Sequence, residues 1–564
     1  MKFRRFFVAA ILLSVSVLLL FNGAAADEET LPHAIIGILV DSHGEPVEHG
    51  VVTLHAVGEE TVLSEASSKV NGAFLLAVPE RLDNALELNI ERSHYEVARI
   101  KLSEIQLEEL RAGHSLYLQN IVLERKVGVA FWITALVFIL MLTLVASDLM
   151  HNTLAALLGA VLMLGISYLG APLFEGLRII DFATAVEHVD WNVIFLVMGM
   201  MIVIAVVERT GVFQWLAFMA YRASGGRTWL LLPILMVVTG IASALLDNVT
   251  TMLLMTPISV QIALALGINP LTLLIPEVMA SNVVGISTLI GTPTNILIGS
   301  YAGISFNGFL TNLTPGVLLA MVGLVLYSEY TYRHDLRPGG SISESLYKKL
   351  QEGARITEPV QLQKAGVVFV IMLVLFLTGE NLHLPSSVIA LMGATALLIW
   401  SRPDIDKMIS AVDWTTLVFF IALFMVVGAL QEVGIISLIA EWIGNLVGEN
   451  LLLAMMAITW FSAILSMIVD NIPFAAAMLP VVGYLSARIP GAENDVLFFC
   501  LAVGAAMGGN GSLIGASANM VTAGISERAG FPITYTYFLK KGFPALLITV
   551  TLGSIWLVLR FIVF

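Results

Sequence analysis

The chain has 564 residues, of which 58% are hydrophobic and only 12% are charged. Soluble domains carry roughly a quarter charged residues, so this composition excludes a wholly soluble protein and predicts that most of the chain lies in a lipid bilayer. The formal net charge of −14 lies in loops and in one polar segment, and we expect no nucleic-acid partner. The single cysteine, Cys500, excludes an intrachain disulfide and a cysteine-based metal site.

The first 26 residues are typical of a secretory signal peptide. Lys2, Arg4 and Arg5 precede an apolar run at 6–21, and the three alanines at 24–26 offer a cleavage site. An uncleaved signal anchor is the alternative. In both cases the segment that follows is expected outside the cytoplasm.

Residues 27–125 are predicted to form a small extracytoplasmic β-sandwich. Short alternating runs at 34–40, 51–55 and 73–77 are separated by turn signals such as N-G at 71–72. The spacing of the glycines, prolines and apolar residues resembles the transthyretin-like regulatory domain of carboxypeptidases. That resemblance implies a structural or adhesive role, and the histidines of this segment are too scattered to indicate a metal site.

From residue 127 to the end, apolar runs of about 17 to 25 residues recur, the length that a membrane-spanning helix needs. Less regular runs at 250–267, 271–302, 473–488 and 495–527 are interrupted by Gly, Pro, Asn and Thr, which is typical of broken helices and re-entrant hairpins. The clear spans lie near 129–147, 153–170, 191–208, 229–246, 315–331, 366–378, 386–401, 413–430, 451–469 and 544–563.

One long polar loop, at 332–365, interrupts this membrane part. It carries six Lys and Arg residues, so the positive-inside bias predicts that it is cytoplasmic. An odd number of membrane crossings must then separate this loop from the external β segment. When each of two successive repeats crosses the membrane an odd number of times, the repeats are inverted relative to each other. We therefore predict a mainly α membrane protein with membrane repeat 1 at 127–331, a cytoplasmic linker at 332–365 and membrane repeat 2 at 366–564.

An internal sequence repeat supports this division. The V-D-W run at 189–191 recurs at 412–414, and the D-N pair that begins at Asp247 recurs at Asp470, in both cases after 223 residues. The L-I-G run at 289–291 recurs at 513–515, one residue out of step. Landmarks that match in order over about a hundred residues indicate a true repeat.

Asp247 and Asp470 are the principal candidate site residues. An ionisable side chain at membrane depth is costly and usually faces a cavity or a partner. Asn248 and Asn471, which follow them, can both donate and accept hydrogen bonds. Hard cations prefer oxygen ligands, so we expect Na⁺ at these two D-N pairs, with Na⁺ or H⁺ as the coupling ion and no other cofactor. A lone aspartate could instead cap a broken helix, but the repetition favours a functional site.

The G-T-P-T-N run at 291–295 and the glycine-rich run at 508–519 suit hairpin tips, where helix termini and exposed carbonyls point at a ligand. Glycine-rich runs can also be packing faces. The predicted ion- or substrate-binding residues are Asp247, Asn248, Thr250, Thr251, Asn282, Thr288, Gly291, Thr292, Pro293, Asn295, Asp470, Asn471, Pro473, Asn510, Ser512, Gly515, Ser517 and Asn519.

At these residues the sequence resembles the ion transporter superfamily, in the branch of arsenite permeases, Na⁺/H⁺ antiporters and melanosomal P-protein-like permeases, which have a citrate-transporter-like membrane domain. The resemblance covers about residues 130–564. It implies two inverted repeats, re-entrant hairpins, elevator-type alternating access and usually a homodimer. The chain departs from the family at 291–295, where G-T-P-T-N replaces G-D-P-P-N, and it lacks the Ser-Asn-Thr signatures of dicarboxylate transporters. Both departures leave the substrate open.

We therefore predict a secondary transporter, not an enzyme, in the plasma (inner) membrane, which moves a small inorganic or organic ion coupled to Na⁺ or H⁺. An intramembrane aspartyl protease is one alternative, because two membrane aspartates could share a proton. The absence of a G-x-G-D context around either aspartate argues against it. An ion channel, with the same oxygen-rich hairpins as its filter, is the other.

Overall fold

The computed structural model describes residues 34–563, with gaps at 43, 45, 60, 80–84, 148 and 337–352. The predicted signal peptide at 1–26 and the middle of the predicted linker lie outside the described residues. The chain forms two compact units, Met1–Lys126 and Val127–Phe564.

In the described part of the first unit, eight strands form two sheets. One sheet has β1 paired antiparallel with β4 and parallel with β7 and β8, and the other has the antiparallel order β3-β2-β5-β6. The elements are β1 (Ala34–Asp41), β2 (Val51–Ala56), β3 (Val62–Ser67), β4 (Ala73–Ala77), β5 (Leu86–Glu91), β6 (Ala98–Lys101), α1 (Glu104–Arg111), β7 (Leu116–Tyr117) and β8 (Ile121–Leu123).

Both sheets contribute to one apolar core, because alternate residues of each strand point inward. Leu39 of β1 and Leu54 of β2 are fully buried in it. Gly72, in the predicted N-G turn, has a φ of +71°, and a Cβ there would lie 2.3 Å from the Leu39 carbonyl oxygen. Only glycine fits this turn without strain. The predicted β-rich segment at the N-terminus is confirmed.

The second unit is almost entirely helical. Its first part contains α2 (Val129–Ala146), α3 (Asn152–Gly170), α4 (Phe182–Glu187), α5 (Trp191–Glu208), α6 (Val212–Ala223), α7 (Thr228–Leu245), α8 (Asn248–Leu266), α9 (Leu271–Gly285), α10 (Pro293–Ala302) and α11 (Phe306–Tyr332). Its second part contains α12 (Pro359–Thr378), α13 (Ser386–Ser401), α14 (Ile405–Ser410), α15 (Trp414–Glu432), α16 (Ile435–Val447), α17 (Leu451–Ser466), α18 (Asn471–Arg488), α19 (Val496–Gly508), α20 (Ser517–Arg528) and α21 (Tyr535–Val558).

Among the described residues, nine helices are long and apolar enough to cross a membrane. A multi-pass, mainly α membrane protein is therefore confirmed. Helix α11 has 27 residues and extends ahead of the span predicted near 315–331, because Ser305 caps it and accepts a hydrogen bond from the Gly308 amide at 3.1 Å. Pro315 lies inside this helix, as membrane helices tolerate.

Helices of the first part of the second unit pack against helices of its second part. Helix α3 contacts α15 of the second part, and α13 contacts α5 of the first. In the same way α10 contacts α18, while α20 contacts α8. Small residues permit close approach at these crossings: a Cβ on Gly199 would lie 2.8 Å from the Ala390 carbonyl carbon. Residues far apart in sequence therefore meet in the middle of the unit.

Candidate ion and substrate site

The two D-N pairs lie at equivalent turns between two helices. Asp247 joins α7 to α8, and its Oδ1 accepts a hydrogen bond from the Thr250 amide at 2.8 Å. Asp470 lies between α17 and α18, and its Oδ1 accepts one from the Ile472 amide at 3.0 Å. Aspartate is a preferred helix N-cap, because its carboxylate satisfies amides that lack a partner within the helix. Both aspartates are thus held in place by the helices that follow them.

The two glycine-rich runs interrupt helices. Residues 286–292 are not α-helical and separate α9 from α10, and residues 509–516 separate α19 from α20. Sequence reasoning located the first tip at 291–295, whereas Pro293 and Asn295 already belong to the first turn of α10. Proline is favoured at that position, since a first-turn amide has no helical partner to lose.

An asparagine after each break holds the broken backbone. Nδ2 of Asn295 donates to the carbonyl oxygens of Ile286 at 2.9 Å and Thr288 at 2.8 Å. Nδ2 of Asn519 donates to the carbonyl oxygens of Gly509 at 2.8 Å and Ser512 at 2.9 Å. Each amide therefore replaces hydrogen bonds that the interrupted helix has lost.

The breaks also pack tightly against the helix that precedes each D-N pair. A Cβ on Gly291 would lie 2.9 Å from the Ser243 carbonyl oxygen, and one on Gly515 would lie 2.8 Å from the Ser466 carbonyl oxygen. The Thr288 hydroxyl donates to the Ala244 carbonyl oxygen. In the second part, the Ser512 hydroxyl donates to the Met467 carbonyl oxygen. The backbone is thus within contact distance of the turns that carry Asp247 and Asp470.

Four buried asparagines connect the two parts. Nδ2 of Asn248 donates to Oδ1 of Asn282 at 3.0 Å. Nδ2 of Asn282 donates in turn to Oδ1 of Asn510 at 3.0 Å and to Oδ1 of Asn519 at 3.1 Å. All four side chains are at most 3% exposed. We refer to Asn248, Asn282, Asn510 and Asn519 as the asparagine cluster.

A cavity of about 300 Å³ lies at the first D-N turn. Asp247 and Thr250 line it from the first part, and Ser517 lines it from the second. The Ser517 hydroxyl also donates to Oδ2 of Asp470. The cavity wall thus includes one aspartate directly and a hydrogen-bond partner of the other.

Two acidic residues that sequence reasoning did not include also line the cavity, namely Glu208 at the end of α5 and Asp413 before α15. Asp413 was visible as part of the repeated V-D-W run, but its sequence gave no sign that it faces the cavity. It caps α15 and accepts hydrogen bonds from the Thr415 and Thr416 amides at 3.1 and 3.2 Å. Three carboxyl groups therefore border one cavity.

Several predicted site residues present oxygen atoms without a hydrogen-bond donor. Within the described residues, the buried Oδ1 atoms of Asn248 and Asn295 and the buried hydroxyl oxygen of Thr251 lack a hydrogen-bond partner. The buried hydroxyl oxygen of Thr294, which the sequence did not predict as a site residue, lacks one as well. Amide and hydroxyl oxygens are suitable ligands for a hard cation. In the part of the chain that the structure describes, no group of three or more His, Cys, Asp or Glu side chains could hold a metal ion.

The remaining predicted residues lie close to these features. Thr292 caps α10 and accepts a hydrogen bond from the Asn295 amide at 3.2 Å. Asn471 and Pro473 are buried in the first turn of α18. The structure thus locates every predicted site residue at one of the two D-N turns, at one of the two breaks or, for Asn282, in α9 between them.

The candidate membrane spans and the broken helices are those of a multi-pass membrane protein. The model of the citrate transporter family matches residues 130–494, and the chain belongs to this family. It is 37% identical over 429 residues to an uncharacterized transporter of Mycobacterium tuberculosis, covering 76% of this chain and 98% of that protein.

Two further similarities extend this result. The human P protein is 31% identical over 542 residues, which cover 82% of this chain and 63% of that protein. The crystal structure of the YdaH transporter of Alcanivorax borkumensis superposes with a TM-score of 0.51 at 14% identity, covering 72% of this chain and 98% of that one. The second similarity concerns the fold alone. The resemblance predicted from sequence is confirmed, as is the expectation that the protein is a transporter and not an enzyme.

Proposed function

We propose that the protein is a secondary active transporter that moves a small ion, inorganic or organic, coupled to Na⁺ or H⁺. The observation that carries this proposal is the shared cavity, which is lined by Asp247 and by Ser517, the hydrogen-bond partner of Asp470. Acidic groups inside a membrane protein commonly serve ion and proton pathways. The family description names citrate, and an organic anion is one of the candidate cargoes.

The binding chemistry divides between the two kinds of element. Carboxyl groups and unpartnered amide and hydroxyl oxygens would hold the coupling cation. The first turns of α10 and α20 carry the positive ends of their helix dipoles, which would favour an anionic cargo. A cation and an anion bound side by side would stabilise each other, and this is the physical basis that we propose for coupling.

We further propose alternating access of the elevator type between two inverted repeats. The D-N turns and breaks of the two parts contact each other through α8 with α20 and α10 with α18, so they are suited to move as one body. On this proposal the first unit is extracytoplasmic, the linker is cytoplasmic, and the protein is a homodimer in the inner membrane.

Uptake by proteoliposomes, with Na⁺ and pH gradients imposed separately, tests the function. Asp247→Asn and Asp470→Asn preserve the helix caps but remove the charge, so each should abolish gradient-driven uptake of a cargo that the native protein accumulates. Asp404→Asn is the matched control, because Asp404 caps the short helix α14 and is solvent-exposed. Undiminished uptake by both site variants would refute the assignment.

The same assay separates the two alternatives. A channel would pass its ion down its own gradient without accumulating it against one. A protease would require a shared-proton dyad, whereas each aspartate accepts hydrogen bonds from the helix that it caps, and no observation favours that chemistry.

A further inference from the structure

Glu277 is a buried acid that the proposed function does not use. It lies in the middle of α9 and has 0% of its surface exposed. Its Oε2 accepts hydrogen bonds from the hydroxyls of Ser259 at 2.8 Å and Thr239 at 3.4 Å. Its Oε1 is buried and has no hydrogen-bond partner among the described residues. Both hydroxyls thus donate to Oε2, and Oε1 has no donor.

No positive charge compensates this carboxyl group in the part of the chain that the structure describes. The helices that supply its two hydroxyl partners, α7 and α8, contain no Asp, Glu, His, Lys, Arg, Cys or Tyr, and neither does the rest of α9. Asp247, the cap of α8, is 12 residues before Ser259, about 18 Å along the helix.

The other helices packed against α9 are α11, α19, α20 and α21. Their titratable groups are Tyr327, Glu329, Tyr330, Tyr332, Cys500, Glu527, Arg528, Tyr535, Tyr537, Lys540 and Lys541. None of these makes a hydrogen bond or an ion pair with Glu277.

This environment favours a neutral carboxylic acid. An unpaired carboxylate in an apolar interior is far more costly than a neutral acid with one unpartnered oxygen. Serine and threonine hydroxyls can accept as well as donate, so they accommodate either protonation state of Oε2. The three-helix contact is therefore suited to a protonated Glu277.

Glu277 is also connected to the candidate site. Thr239 and Ser243 lie one turn apart on α7, and they face Glu277 and Ser281, one turn apart on α9. The Ser281 hydroxyl donates to the Ser243 hydroxyl at 2.9 Å. The next residue, Asn282, belongs to the asparagine cluster and lies about 7.5 Å along the helix from Glu277.

The second part of the chain indicates that packing alone does not require an acid here. Ser466 corresponds to Ser243 and donates to the Ala505 carbonyl oxygen, as Ser243 donates to that of Ser281. With this alignment, the position equivalent to Glu277 is Leu501, which is fully buried in α19. A leucine thus fills in the second part the position that the acid occupies in the first.

We propose that Glu277 is a proton-binding site, distinct from Asp247 and Asp470, that carries a coupling proton during transport. Glu277 is a neutral acid while α7, α8 and α9 are packed as described. When movement of these helices admits solvent, Glu277 releases its proton to water and becomes a carboxylate. The inference rests on the proposed function and specifies one of its coupling ions as the proton.

The first test is uptake by proteoliposomes containing the full chain. Glu277→Gln imitates the permanently protonated acid, so uptake should lose its response to an imposed pH gradient while cargo exchange without a gradient persists. Glu493→Gln is the control, since Glu493 is exposed outside the helices. If Glu277→Gln fails to fold, Glu277→Leu copies the second part and should behave in the same way. A native response to the pH gradient in either variant would overturn the inference.

The second test does not depend on transport. Infrared difference spectroscopy of the purified protein in H₂O and D₂O should detect a protonated carboxyl band at neutral pH that is missing in Glu277→Gln. If the native chain transports nothing under any gradient, the proposed function fails, whereas the infrared band still decides whether Glu277 holds a proton. A spectrum unchanged by the substitution would overturn the inference by itself.

Discussion

Nδ2 of Asn282 lies 3.1 Å from Oδ1 of Asn519, although 237 residues separate them in the chain. The same nitrogen donates to Asn510, and Oδ1 of Asn282 accepts from Asn248. One side chain therefore joins the first D-N pair to the break in the second part. A change at either of these places therefore alters the environment of the other through a direct hydrogen bond.

Replacing Asn282 by alanine should impair both stability and transport. The substitution removes three hydrogen bonds and takes away the Asn282 partner of Asn248 Nδ2 and of Oδ1 in Asn510 and Asn519, at about 1–3 kcal/mol for each unsatisfied group. We expect a lower melting temperature in detergent and a large loss of uptake. Asn282→Ala combined with Asn519→Ala should cost less than the sum of the two single changes, because they share a bond. Strict additivity would contradict direct coupling, and exposed Asn307→Ala provides a control.

Aspartate should not substitute for Asn519. The amide donates to two carbonyl oxygens, whereas a carboxylate has no hydrogen to donate and would face both oxygens with a negative charge. Asn519→Asp should therefore lower the melting temperature and abolish uptake, and Asn295→Asp should do the same in the first part. Thermal unfolding of the two variants and the native chain checks this. A native melting temperature in both variants would show that the breaks do not depend on these amides.

Alanine at Gly291 should be poorly tolerated, because its Cβ would lie 2.2 Å from a backbone oxygen that cannot move aside. Overpacking of this kind costs typically about 1–3 kcal/mol. Gly515→Ala should have a smaller effect, since the nearest backbone oxygen is 2.8 Å away. Gly524→Ala is the control, because a Cβ there meets nothing within 4 Å and alanine favours the helix. The melting temperature should be highest for Gly524→Ala, lower for Gly515→Ala and lowest for Gly291→Ala. The reverse order would contradict this prediction.

The cavity position of Asp413 predicts an effect on cation affinity. Asp413→Asn keeps a good helix cap but removes one negative charge from the cavity wall. The cation concentration that half-saturates uptake should rise roughly three- to tenfold, as expected for one carboxylate at short range. Asp190→Asn is a matched control, because Asp190 caps α5 in the same way and does not line this cavity. Equal effects of the two substitutions would assign the change to capping and not to charge.

The sequence was sufficient for the features that depend on local patterns. Apolar run length identified eight of the nine candidate spans among the described residues, whereas Asn248–Leu266 was predicted only as a less regular run. The runs predicted as spans near 386–401 and 451–469 form shorter apolar helices, Ser386–Ser401 and Leu451–Ser466. Glycine, proline and asparagine marked both breaks. Spacing of 223 residues related Asp247 to Asp470. Span length, capping and helix interruption can be predicted in this way because they are determined by neighbouring residues. The assignment of the two D-N pairs to inverted repeats stays a prediction.

Long-range contacts could not be predicted in this way. Nothing near Asn282 indicates that its partners are Asn510 and Asn519, since that depends on how the two parts cross. The same holds for Asp413, which looks like a solvated helix cap in sequence but faces the cavity. Nor does the sequence near Glu277 indicate its two hydroxyl partners, because they come from two other helices.

Cys500 has 0% of its surface exposed and is the single cysteine of the chain. A thiol reagent should therefore label the native protein very little. A cysteine introduced at a surface position becomes the one cysteine that the reagent can reach. A Cys at Ser67 in β3 or at Asp406 in α14 would be exposed. Labelling of each in intact cells by a reagent that cannot cross membranes would report directly on which side of the bilayer that segment lies.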